Sequence, residues 1–543
     1  MKPISEIARA LDLREEDILH YGEDKAKMSL RVLERPPEKS QGRLILITAM
    51  SPSPAGEGKT TVAIGLVDGL NRMNHRAVVA LRQPSMGPVF GMKGGGTGAG
   101  KAQVVPAEEI NLHFTGDFHA VTIAHNLLSA AIDNHIHRGN DLDLDLRRII
   151  WHRVMDMNDR ALRKIVVGLG GKTFGFPRED RFDITAASEV MAILALARDY
   201  EDLKRRLENI VIGFTRDGCP LLARELKTHG SMAVLLRHAL LPNLVQTREG
   251  NPAIIHTGPF ANIAHGTSSV LGTLMGLRGA DFVVQEAGFG SDLGGEKFLN
   301  IFCRVLGVAP SIIVVVVTLR AIKYHGGLPQ TENEKPSILA LSKGMQNVLH
   351  HLNTLKGYGI PVVVALNAFD TDTSEEMEST LKMVKDAGFP AYRVRVYQEG
   401  GEGATEISEF VAHTAESTKS GDFKPVYELE ESLFEKVEKI VTRIYGGKGV
   451  VYAKRAYEQL RECEKHGYRN SFISMAKTQY SLSDDPNALG KARDFTISIR
   501  EAYLLGGAGF VVPISGEIMT MPGLPKSPNF TRIDLDASGN VLM

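Results

Sequence analysis

The chain has 543 residues and a formal charge of -1, with 63 Lys plus Arg against 64 Asp plus Glu; 43% of residues are hydrophobic and 23% charged. At roughly 100 to 200 residues per domain this length predicts two to four domains, and ordinary soluble usage excludes a disordered or fibrous chain. Balanced charge excludes a global field drawing the protein to nucleic acid or an anionic membrane, so neither is an expected partner, and three widely spaced cysteines, Cys219, Cys303 and Cys463, exclude a CxxC metal site and a disulfide framework.

The N-terminal stretch "MKPISEIARALDLREEDI" carries acidic residues where a signal peptide needs an apolar run, so no export and a reducing cytoplasm are expected. Short aliphatic runs then recur with helical stretches between them: "RLILIT" (43–48), "AVVAL" (77–81), "NIVIGF" (209–214), "PAIIHT" (252–257), "DFVVQEA" (281–287), "SIIVVVV" (311–317) and "PVVVALN" (361–367). The block Ile312 to Val317 is six residues against the ~20 a membrane helix requires, and is read as a buried strand. Continuous apolar strands predict an α/β fold: a P-loop NTPase-like, mostly parallel sheet with helices on both faces, plus additional α/β domains. In such sheets ligands sit at the carboxyl ends of the strands.

The segment "DLDLDLRRIIWHRVMDMNDRALRKIVVG" reads as charged and helical, and "RDYEDLKRRLEN" as an exposed amphipathic helix. A second unit is therefore placed from near residue 140. After Phe369, "DTDTSEEMESTLKMVKDAG" predicts a Thr-capped helix and "PAYRVRVY" a strand. The expected units are 1–140, binding nucleotide, then 141–369 and 370–543.

Residues 53–60 read "SPAGEGKT", after an apolar strand and before the helical "TVAIGLVDGLNRM". That is the strand, loop, helix context of a phosphate-binding loop. Gly56 and Gly58 let backbone N–H groups turn inward, Lys59 reaches the terminal phosphates, and Thr60 can ligate Mg²⁺. Ser53, Pro54, Ala55 and Glu57 complete the cradle, with Ser53 where such loops carry their first glycine. The competing reading is a plain glycine-rich turn. Downstream, "LNAFDTDT" spaces Asn367 and Asp370 as a purine-reading element does, without its lysine; ordinary capping by Asp372 or Thr373 explains the pattern as well. Asn367 and Asp372 are candidate nucleotide contacts. His113, Asp117, His119, His135 and His137 invite a metal reading, but helix packing or polar pocket lining is the expected role.

Between these elements lie "RQPSMGPVFGMKGGGTGAGKAQVVP", "SEVMAILALARD", "GPFANIAHGTSS", "QEAGFGSDLGGEKF", "YQEGGEGA" and "GEIMTMPGLPKSP". This ordered set resembles the formate–tetrahydrofolate ligase family from about residue 25 to about 528. The resemblance implies ATP-dependent ligation of formate to N10 of tetrahydrofolate through formyl phosphate. It implies Lys59, Arg82 and Gln83 as catalytic, Arg82 holding formyl phosphate, and Phe289 with Tyr397 stacking the folate rings. It further implies Mg²⁺ with ATP, activation by a monovalent cation such as K⁺ or NH₄⁺, and a homotetramer. The chain departs from the family pattern at Gln83, where Glu is common, at Asn300 for Asp, at Lys101 for an aromatic residue and at Tyr397 for Trp. Two other readings stand beside the ligase: a P-loop regulatory ATPase or GTPase, and a catalytically weak relative.

Overall fold

The computed structural model describes residues 1–36, 41–418, 421–492 and 494–542. A twelve-stranded sheet organises the molecule. Its strands, in chain order, are β1 (Ile18–His20), β2 (Ala26–Met28), β3 (Arg43–Ala49), β4 (Ala77–Leu81), β5 (Gly98–Ala99), β6 (Ala102–Val105), β7 (Asn243–Thr247), β8 (Pro252–Ile255), β9 (Phe282–Glu286), β10 (Ile312–Val317), β11 (Val362–Asn367) and β12 (Ala391–Val394). In space they run β1, β2, β7, β8, β4, β9, β3, β10, β11, β12, with the β5–β6 hairpin joined through β6 to β7. From β8 to β12 every pairing is parallel, and an antiparallel edge of β1, β2 and β7 flanks it. The expected mostly parallel α/β sheet is what forms.

Successive residues of the central strands belong to two separate cores. Leu44, Leu46, Val78, Val283, Ile313 and Val315 pack on one face. Ile45, Ile47, Val79, Val284, Ile312 and Val314 pack on the other. Because side chains alternate across a strand, a run that is apolar at every position must be covered on both faces, which is why "IIVVVV" is buried throughout. Each such side chain contributes about 1.5–3 kcal/mol on burial.

Two expectations are corrected. Residues 144–149 form a strand, Leu144–Ile149, and the "NIVIGF" run gives Val211–Thr215, which pairs antiparallel with it and with Pro220–Leu222 in a separate three-stranded sheet. The charged composition of "DLDLDLRRI" masked the Asp–Leu alternation of residues 141–146, a strand signal that ends at Arg147 and Arg148. The helix 200–208 does form, with Asp199 accepting the Asp202 N–H at 2.7 Å, and Thr373 caps Ser374–Asp386. None of the helices among the described residues is long and apolar enough to cross a membrane.

A four-stranded sheet near the C-terminus, with Ile497–Leu505 and Phe510–Ser515 at its centre, packs beside the main body. The helix Glu189–Leu196 holds its turn: the Glu189 carboxylate accepts N–H bonds from Gly507 at 2.8 Å and Ala508 at 3.1 Å. Burial pushes the Glu189 carboxyl up to about 8. A carboxyl whose folded pKa is raised contributes stability that is present below its unfolded value and lost as pH rises through the folded one. Stability should therefore fall between about pH 4.5 and 8, at up to about 1.4 kcal/mol per pH unit. Glu189→Gln keeps the acceptor oxygen and removes the ionisation, so denaturant melts should show a flatter pH profile in the variant than in the wild type.

Candidate active site

The loop after β3 lies at the carboxyl end of the sheet, between the neighbouring ends of β9 and β10. It leads into the helix Lys59–Arg72 through Gly58, whose φ of +72° and whose closeness to Asn367, 2.7 Å from where a Cβ would sit, both require glycine. Ser53 has a task a glycine could not perform: its N–H and Oγ bind Glu57 Oε1 at 2.7 and 3.0 Å. The other Glu57 oxygen accepts from Thr318, just after β10, and the Glu57 carbonyl accepts from Asn367 Nδ2 at 3.1 Å. The Glu57 side chain is thus buried in the scaffold beneath the loop, and Asn367 supports the loop from the end of β11. Pro54, Ala55 and Gly56 form its exposed crest.

Thr60 Oγ1 donates to Glu286 Oε2 at 2.7 Å. Glu286, the last residue of β9, was not anticipated; the signal was present as a carboxylate closing the apolar run "DFVVQEA". Around it gather three cations. The Lys59 pKa is lowered by burial, with Glu286 and then Glu57 opposing that shift and Arg82 adding to it. Arg82 follows β4; its Nη1 donates to the Pro259 carbonyl at 3.1 Å, its Nε has no protein partner, and burial lowers its pKa against the pull of Glu286. Lys93 is reached by solvent yet surrounded by protein, as in a deep cleft; desolvation, then Arg82 and Lys59, lower its pKa to about 8. A small region so rich in positive charge is suited to phosphate groups.

Gln83 is buried, with its N–H on the Thr257 carbonyl at 2.6 Å, and both ends of its side-chain amide are unpartnered. So are Thr257 Oγ1, Asn262 Oδ1 and both nitrogens of His265, along the segment after β8. Burial, then Arg82, holds His265 neutral, its pKa down to about 3. Buried polar atoms in this number without partners mark a surface built to meet a polar ligand.

Phe289 stands three residues beyond Glu286, half-buried, at φ +57°. An aromatic residue in the left-handed region is strained, and such strain concentrates at binding sites. Lys93 Nζ lies 5.3 Å from the Phe289 ring centroid. Tyr397 is 52% exposed, and its carbonyl accepts the Lys101 N–H at 2.9 Å. The glycine-rich stretch 91–101 therefore runs from the Phe289 ring at Lys93 to the Tyr397 ring, which a Cβ on Gly100 would meet at 2.9 Å.

A neutral histidine joins the loop to this rim. The Ser51 N–H donates to His351 Nε2 at 2.9 Å, so the ring proton is on Nδ1, which donates to Ser291 Oγ at 2.7 Å. Burial lowers the His351 pKa to about 3. Other positions serve the scaffold. Asp372 accepts the Phe369 N–H at 2.8 Å and closes a turn. Asn300 is satisfied by Glu296, Tyr358 and the Val426 N–H, which explains the amide where an Asp would lack the two donated bonds. Asp117 pairs with the buried Lys27 at 2.8 Å and His135 accepts from the Leu142 N–H, while no group of three or more His, Cys, Asp or Glu among the described residues could hold a metal ion.

A phosphate loop, a hydroxyl–carboxylate pair at the next strand and a cationic cleft at the carboxyl ends of a parallel sheet define a P-loop type nucleotide-using α/β protein. Comparison with known proteins narrows this class. The formate–tetrahydrofolate ligase family model matches residues 1–542. The chain is 50% identical over 539 residues to the formate–tetrahydrofolate ligase of Bacillus licheniformis, covering 99% of this chain and 96% of that protein. It is 53% identical over 540 residues to the one from Sinorhizobium medicae, covering 99% and 95%. The chain belongs to the formate–tetrahydrofolate ligase family.

The position of Lys93 gives a pH test. Its charge is present below about pH 8 and lost above it, so ATP affinity should weaken as pH rises through 8 to 9. In Lys93→Gln, calorimetric titration should show weaker ATP binding at pH 7 and no such decline; an unchanged profile would remove Lys93 from the anion site.

Proposed function

We propose that the protein ligates formate to N10 of tetrahydrofolate with cleavage of ATP to ADP and phosphate, through formyl phosphate. The observation that carries this reading is the meeting, in one cleft, of the phosphate loop, Arg82 with an unpartnered Nε, and the doubly unpartnered Gln83. Formate has no leaving group, so a formate oxygen attacks the terminal phosphorus of ATP and ADP departs. N10 then attacks the formyl carbon, and phosphate leaves.

Lys59 and the loop N–H groups hold the transferring phosphoryl group, and the Arg82 fork meets the planar acyl phosphate. Thr60 and Glu286 would hold Mg²⁺, a hard cation that takes oxygen ligands and would supply positive charge to the transferring phosphoryl group. Gln83 can donate to the formyl oxygen through Nε2 and accept the N10–H through Oε1. An amide takes up no proton, so the N10 proton passes to the phosphate released in the same step. Phe289 and Tyr397 stack the folate rings, and Asn367 and Asp372 border the nucleotide. The division 1–140, 141–369 and 370–543 is proposed as the sequence units supplying nucleotide, acyl phosphate and folate contacts. A monovalent cation, a homotetramer and a cytoplasmic setting follow from the family resemblance. A regulatory nucleotide switch has no use for the unpartnered polar surface beside Arg82.

ADP release should require both formate and tetrahydrofolate in addition to ATP; release with ATP alone would favour the switch. In the same assay Lys59→Ala should lose on the order of 10² or more in kcat, and Arg82→Lys should rescue Arg82→Ala poorly, because an ammonium lacks the bidentate fork.

The ring assignment has a separate readout. Stacking adds about 0.5–1.5 kcal/mol beyond burial, or about twofold to twelvefold in affinity. Phe289→Ala and Tyr397→Ala should raise KM for tetrahydrofolate by at least that and leave KM for ATP nearly unchanged, with Tyr397→Trp as tight as wild type or tighter. Equal effects on both constants would make the two rings scaffold residues.

A further inference from the structure

The segment that carries Tyr397 is anchored from the far end of the sheet. β7 and β8 are antiparallel and joined by the turn 248–251, while β8, β4, β9 and β3 all run parallel. That turn therefore sits at the amino end of β8, opposite the end that carries the phosphate loop. Glu249 reaches out of it to two other parts of the chain. Its Oε1 accepts the Gly401 N–H at 2.8 Å, and its Oε2 accepts from Arg72 Nε at 2.8 Å, Arg72 being the last residue of the helix that begins at Lys59. Gly400, at φ +67°, leaves no room for a side chain, since a Cβ there would stand 2.3 Å from Glu249 Oε1. The carboxylate is seated against the backbone at two successive residues.

Between Tyr397 and this anchor the chain lies along the same helix. Val396 fills the space over Gly65, where a Cβ would meet its Cγ1 at 2.3 Å, and a Cβ on Gly401 would meet the Asp68 Cβ at 2.8 Å. Asp68 Oδ1 in turn accepts from Thr247 Oγ1 at 2.6 Å and Asn251 Nδ2 at 2.7 Å, so the helix is fastened to the turn on either side of Glu249 in sequence. From the other direction, Arg248 Nη1 donates to the Gly100 carbonyl at 3.1 Å, next to the Lys101 N–H that binds the Tyr397 carbonyl. The Tyr397 hydroxyl has no hydrogen-bond partner among the described residues. Its ring is therefore placed through its backbone.

We propose that Glu249 is a positioning residue for tetrahydrofolate: its bond to the Gly401 N–H fixes the far end of residues 396–401, and with it the attitude of the Tyr397 ring toward its ligand. A carboxylate suits the task, because its bond to a backbone N–H is shorter and stronger than a neutral one. Glu249 acts through the segment and touches no ligand. The inference rests on the reading that Tyr397 stacks folate, and it concerns neither the ATP nor the formate contacts.

Steady-state kinetics of the full chain test it, with wild type, Glu249→Ala, Glu249→Gln, Tyr397→Ala and the double variant Glu249→Ala/Tyr397→Ala. Glu249→Ala should raise KM for tetrahydrofolate about twofold to twelvefold, and by no more than Tyr397→Ala does, with kcat and KM for ATP near wild type. Glu249→Gln keeps an oxygen for the Gly401 N–H and should recover most of that loss. In the double variant KM should equal that of Tyr397→Ala alone, because a residue that acts through the ring then has nothing left to position. Losses that multiply, an equal rise in KM for ATP, or a Gln variant as weak as the Ala variant would each overturn the proposal. A raised KM in Tyr397→Ala beside an unchanged one in Glu249→Ala would overturn it too, and leave the ring assignment standing. An unchanged KM in Tyr397→Ala itself would remove the ring assignment and the proposal with it.

Discussion

One buried carboxylate fixes the phosphate loop. Glu57 receives the N–H and hydroxyl of Ser53 on one oxygen and the hydroxyl of Thr318 on the other, while its own carbonyl is held by Asn367. These partners come from the loop itself and from the ends of β10 and β11. A carboxylate out of water is expensive unless its oxygens are filled, so displacing any of the three contacts would expose the others to that cost. The crest of the loop is left free, and its shape is set from below by parallel strands whose register is itself fixed by two cores.

With the loop fixed, the site becomes a problem in electrostatics. Lys59, Arg82 and Lys93 gather around Glu286, with Glu57 also acting on Lys59, and burial disfavours their charged forms. Such a cluster is strained without an anion and relieved by one. The same logic covers Gln83 and His265, whose buried polar atoms lack partners. Stability withheld here, and at the left-handed Phe289, is supplied by the two hydrophobic cores, which is how a binding surface can stay poorly satisfied within a well-packed protein.

The central strands were legible in the sequence because burial on both faces leaves an unbroken apolar run, and the loop because its spacing is tied to a strand and a helix. Three features were hidden for physical reasons. The strand 144–149 begins with a short Asp–Leu alternation that adjacent arginines interrupt, and its Asp and Arg suggested a solvated helix. Glu286 closes an apolar run, but its partner Thr60 is distant in the chain, and Glu57, read as part of the cradle, turns inward to Ser53 and the distant Thr318, a role no local pattern shows. His351 is farther still: its role depends on Ser51 and Ser291, brought to it only by the packing of helix 338–356 against the sheet.

That histidine shows how two loops at the carboxyl ends of neighbouring strands are kept in register. Ser51 opens the phosphate loop, and Ser291 follows Phe289 by two residues. One neutral imidazole, donating to Ser291 and accepting from Ser51, spans the distance between the loop after β3 and the segment that carries Phe289. Because burial holds the ring neutral far below physiological pH, its donor and acceptor ends cannot both become donors, and the link survives the charge changes that phosphoryl transfer brings. An uncharged connection of this kind ties the two segments together without adding another ion beside the cluster of Lys59, Arg82 and Lys93.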